Sequence, residues 1–121
     1  MVINNKEFKI YNIAIILSKD VYNYSKNIPK KDLYYKKELY DTSKNIVKNI
    51  SIYNEIDNVN ILEYKDELNS LIGYLDYLIY IVFLKRYINE KNKKVLYSNL
   101  IQIKKMSERL IKNRITKYDN K

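Results

Sequence analysis

The sequence predicts an all-α fold, an up-down-up-down antiparallel four-helix bundle, and three observations predict it. Apolar residues recur at spacings of three and four along most of the 121 residues, which is the period of a helix with one buried face. The chain contains one glycine and one proline, too few for the hairpins and tight turns of a β fold. The apolar stripes break at three short corners, and short corners place successive helices antiparallel. With 46% apolar residues the chain can bury a single core, so one domain spanning 1–121 is expected. Its helices are placed at about 7–27, 30–53, 59–88 and 90–116.

The first helix carries Ile10, Ile13, Ala14, Leu17, Val21 and Tyr24 on one stripe, with Lys9, Lys19, Asp20, Asn23 and Lys26 outside it. It ends before Pro29, which has no N–H to donate and whose ring clashes with the preceding turn, but which suits the first turn of a new helix. The second helix reads Tyr35, Leu39, Thr42, Ser43, Ile46, Ile50 and Tyr53 on its buried side, with Lys37, Asp41, Lys44 and Lys48 opposite. The aperiodic run NEIDNVN at 54–60 is a connection with residues suited to capping. In the third helix Ile61, Leu68, Leu71, Ile72, Leu75, Ile79 and Val82 form the stripe, yet 71–88, LIGYLDYLIYIVFLKRYI, is apolar nearly all round. Asp76, Lys85 and Arg86 interrupt that run, so a central or interface helix is expected rather than a membrane span. Gly73 in its middle either admits another backbone or is simply tolerated. Asn89 is a plausible cap for the fourth helix, whose stripe is Leu96, Leu100, Ile103, Ser107, Leu110 and Ile111.

The chemistry left open is narrow. Cysteine and histidine are both missing from the sequence, which removes thiolate nucleophiles, imidazole bases and the usual zinc ligands. Glu63, Asp66, Glu67 and Asp76 form the one acidic cluster, but nothing nearby completes a two-metal or acid–base site, and they read as solvated surface. No phosphate loop or nucleophile elbow occurs. A non-catalytic protein without cofactor is expected. The opening MVINNKEFKI lacks the pattern of a secretory leader, so a cytoplasmic location without membrane insertion is the expectation.

Charge points to a polyanionic partner. The formal net charge is +9, and it is sorted: +2 over residues 6–27, +3 over 28–53, −3 over 54–89 and +7 over 90–121. An AT-rich coding sequence would enrich lysine by itself, but does not readily explain that sorting. Lys37, Lys44 and Lys48 on the second helix and Lys105, Arg109 and Lys112 on the fourth are the candidate contacts to nucleic-acid backbone. The fourteen tyrosines are mostly core or interface residues, some able to stack on unpaired bases. Tyr74, Tyr77, Tyr80, Ile81 and Leu84 lie off the main stripe of the third helix and are the candidate interface of a homo-oligomer.

Two stretches carry a resemblance: the proline corner NIPKKDLYYKKELYDTSKNIVKNI, and LIGYLDYLIYIVFLKRYINEKNKKVLYSNLIQIKKMSERLIKN, with its break at YINEK. Together they resemble the four-helix-bundle family that includes the accessory variability determinant (Avd) of diversity-generating retroelements and the proteins of ribosomal RNA intervening sequences. The chain departs from the family pattern in having Tyr34, Tyr35, Lys36 and Lys37 where a glycine often stands, and Ser107, Glu108 and Arg109 before the last basic turn. The resemblance implies a basic homopentamer that binds RNA or DNA and partners a reverse transcriptase. The alternatives are an intervening-sequence protein of undefined activity and an oligomeric scaffold for protein partners.

Overall fold

The computed structural model describes residues 5–119; residues 1–4 of the opening stretch and the last two of the expected domain lie outside the described residues. Four helices follow in order, α1 (Asn5–Tyr24), α2 (Leu33–Ser51), α3 (Ile61–Leu84) and α4 (Glu90–Asp119), and the described residues contain no strand. Each helix packs on two others: α1 and α3 both pack on α2 and α4, which leaves α1 with α3 and α2 with α4 as the diagonals. This is the four-cornered bundle that the apolar stripes require.

The core follows the stripes closely. Leu17, Val21, Leu39, Ile46, Leu68, Leu75, Ile79 and Leu100 are all buried. Leu110, expected among them, is half-buried at the edge of the core. Tyr64 and Leu78 join the buried set of α3 beyond the expected stripe, because that helix packs on both α2 and α4. Asp20, expected on the wet side of α1, is only partly exposed and accepts a hydrogen bond from Asn99 of α4 at 3.4 Å. Partial burial raises its pKa.

Helix ends explain the differences from the expected boundaries. Pro29 does not enter the first turn of α2. It sits extended before a 3-10 turn, Lys30–Asp32, and its carbonyl accepts the Asp32 N–H at 2.9 Å before α2 begins. The connection at 54–60 is present, with 3-10 turns at Tyr53–Glu55 and Asn58–Asn60. The third helix stops at Leu84, four residues early. Arg86 there adopts φ 65°, its N–H donates to the Phe83 carbonyl, and the Tyr87 N–H donates to Val82, both at 2.9 Å. That paired closure is a Schellman motif, whose left-handed position usually holds glycine; a side chain there costs roughly 1 kcal/mol. Asn89 caps α4 as expected, its Oδ1 accepting the Asn92 N–H at 2.7 Å.

The two corners at one end of the bundle are tied together. The Asp32 carboxylate accepts the Tyr87 hydroxyl and lies 3.6 Å from the Lys85 ammonium. The Tyr87 bond, with help from Lys85 and Lys31, holds the Asp32 pKa below its usual value against the opposing effect of burial. At the other end Arg114 of α4 pins the α2–α3 connection. Its Nε donates to Asn58 Oδ1 at 2.6 Å, its Nη1 to the Tyr53 carbonyl at 3.2 Å, and its Nη2 to the Ile56 carbonyl.

Candidate nucleic-acid interface

The α2 row of Lys37, Lys44 and Lys48 and the α4 row of Lys105, Arg109 and Lys112 are both fully on the surface. The bundle does not bring the two rows together. Because α2 and α4 occupy a diagonal, their outer faces look in opposite directions, about 25 Å apart on ordinary helix dimensions. Each row also carries an exposed acid, Asp41 between the lysines of α2 and Glu108 beside Arg109, which dilutes its local field.

Sequence reading along single helices missed a third basic region at the corner end of the molecule. Lys30, Lys31, Lys85, Arg86, Lys91 and Lys94 are exposed there, carried by the proline corner, the end of α3 and the first turn of α4. Lys26, in the turn just past α1, lies 5.0 Å over the Tyr22 ring, and Lys93 lies 3.9 Å over the Phe83 ring. Among the described residues two ion pairs form, Lys85 with Asp32 and Lys94 with Glu90, the latter at 3.9 Å. Lys30, Lys31, Arg86 and Lys91 of this region are in neither pair. The signal was present as the short runs KK at 30–31, KR at 85–86 and KNKK at 91–94; finding it required joining corners that are remote in sequence.

A groove of about 760 Å³ runs along this end between the close of α1 and the α3–α4 corner, lined by Asn23, Asn27, Asn89, Asn92 and Arg86 together with Tyr24, Phe83, Leu84, Tyr87 and Ile88. A second groove of about 660 Å³ lies between α3 and α4 over Ile72, Gly73 and Leu100, flanked by Lys65, Lys104, Asp76 and Glu108. A side chain at Gly73 would meet nothing within 4 Å, so no backbone of this chain requires the glycine.

The candidate interface residues of α3 divide. Tyr77, Tyr80 and Leu84 are 51%, 49% and 55% exposed on the outer face. Tyr74 and Ile81 are half-buried, and the Tyr74 hydroxyl donates to Glu38 of α2 at 2.8 Å. By length and composition the segment Asn58–Leu84 could cross a membrane, and 33% of its apolar window is buried within the bundle. Glu63, Asp66, Glu67 and Asp76 are exposed along α3, and among the described residues no three such side chains gather into a metal-holding group. Comparison with protein-family models, with characterised proteins and with solved structures finds no match to this chain.

Proposed function

We propose that this chain is a non-catalytic, basic nucleic-acid-binding accessory protein that works as a homo-oligomer, in the manner of the Avd proteins that assist a reverse transcriptase. The observation that carries the reading is the surplus of exposed cations that internal ion pairs leave unneutralised. Bringing phosphates to such a surface releases condensed counterions, which drives association without base-specific contacts. The diagonal placement of the α2 and α4 rows gives each subunit two separate weak contacts. An oligomer repeats both and multiplies them through effective concentration.

A protein-scaffold reading draws on one observation of its own, the exposed Tyr77, Tyr80 and Leu84 of α3, an apolar surface suited to another chain. One experiment separates the two. Lys44, Lys48, Arg109 and Lys112 are reversed to Glu, and binding to a 20-nucleotide single-stranded RNA and to duplex DNA is titrated by fluorescence anisotropy. The nucleic-acid reading expects at least a tenfold loss of affinity with unchanged helical circular dichroism. Equal binding by parent and variant at every salt concentration would leave these rows as the wet side of the bundle.

A further inference from the structure

The groove at the corner end differs in kind from the lysine rows. Its lining contains no Asp or Glu, and four asparagines line it: Asn23 of α1, Asn27 just past that helix, the capping Asn89 and Asn92 of α4. Asn23, Asn27 and Asn89 are exposed, while Asn92 is partly covered. An asparagine amide offers a donor and an acceptor side by side, the pattern that pairs with the edge of a nucleobase; the Asn89 Oδ1 already accepts the Asn92 N–H, so that pairing falls to Asn23 and Asn27. Tyr24 and Tyr87, both half-buried, line the same groove, and every base has a face that stacks on a tyrosine ring.

Arg86 completes the set. It lines the groove from the left-handed position of the Schellman motif, φ 65°, where glycine is the comfortable residue. Nothing in the fold requires a guanidinium there: among the described residues Arg86 makes no ion pair and no side-chain hydrogen bond. A strained backbone carrying an unused, exposed cation is a reason to look for a ligand. The corner lysines Lys30, Lys31 and Lys91, exposed on the same end of the bundle, extend a positive field beyond the groove, while Lys94 is paired with Glu90.

We propose that this groove is a subsite for one unpaired nucleotide of a single strand, with Arg86 on its phosphate, the asparagine amides on the base edge and Tyr24 against the base face. The inference rests on the nucleic-acid reading above and adds a ligand class to it. A duplex keeps its bases stacked and paired and cannot offer one to the groove, so the subsite gives the protein a preference for single strands that the lysine rows lack.

The test uses the full chain and fluorescein-labelled 12-nucleotide single strands of RNA and of DNA, with a 12-base-pair duplex for comparison. Arg86→Gly relieves the strained backbone, so it should fold with a melting temperature at or above the parent's. It should also bind both single strands about tenfold more weakly and the duplex nearly as well. Asn23→Ala combined with Asn27→Ala, at two exposed positions, should reproduce the loss. Lys30→Ala removes one charge from the same end outside the groove and should weaken all the probes by a similar, smaller factor. A 4-thiouridine placed in the RNA strand should crosslink to Tyr24 or a neighbouring groove residue. If Arg86→Gly and the double asparagine variant bind single strands as the parent does, or lose no more than Lys30→Ala, the subsite is overturned and the wider reading stands. A parent that binds no probe overturns both.

Discussion

At the scale of residues, the tyrosines do most to join the helices. The Tyr64 hydroxyl donates at 2.7 Å to the Asn49 carbonyl in the last turn of α2, which also accepts the Ile52 N–H at 3.3 Å. Tyr53 reaches the Leu110 carbonyl at 3.3 Å and Tyr87 reaches Asp32. Burial raises the Tyr64 pKa, and hydrogen bonds with Tyr34 and then Glu38 raise that of Tyr74. Tyr97 is pushed up to about 12, by burial first and then by the charge of Asp76. A raised folded-state pKa means that the folded chain holds its proton more tightly than the unfolded one. The resulting stability is complete below the unfolded value near 10 and is lost as pH rises through the folded values. Thermal melts should therefore fall steeply between about pH 10 and pH 12. Absorbance at 295 nm should show part of the tyrosine ionisation held back until helicity is lost. All fourteen ionising together with helicity intact would contradict these contacts. In the core, Leu75 is fully buried, and Leu75→Ala should cost roughly 2–5 kcal/mol in urea unfolding; a near-neutral result would place that side chain elsewhere.

At the scale of elements, the helices were legible because each has to bury one face. Leu39, Thr42, Ser43, Ile46 and Ile50 of α2 are buried just as their spacing requires, small polar residues included, because the period matters more than hydrophobicity at any one site. The end of α3 was not legible. Its termination depends on Arg86 adopting a backbone conformation in which sequence reasoning expects glycine. Arg114 was hidden for a different reason: it resembles one more cation on a basic helix, but its donors are spent on the carbonyls of the α2–α3 connection, a contact between segments far apart in sequence. Gly73 supports a prediction at this scale. With open space where its side chain would stand, Gly73→Ala should stabilise α3 by about 1 kcal/mol and raise the melting temperature by about 4 °C. A decrease would mean that another chain lies close against that helix in solution.

At the scale of the whole molecule, the charge distribution depends on how the corners meet. The diagonal of α2 and α4 separates two lysine rows that look equivalent in sequence, and the corner end gathers cations from three stretches that sequence analysis treats separately. The stripes established that the rows face outward; their relative positions required the packing order, which periodicity does not encode. The central claim is that this surface holds nucleic-acid backbone by releasing counterions, and its salt dependence tests that claim most directly. Binding of the parent protein to a single-stranded RNA is titrated at a series of salt concentrations, and log K is plotted against log salt. The account predicts a straight line of slope about −0.7 per phosphate engaged, so about −2 or steeper for three or more phosphates. A slope near zero, or no measurable binding at low salt, would contradict it.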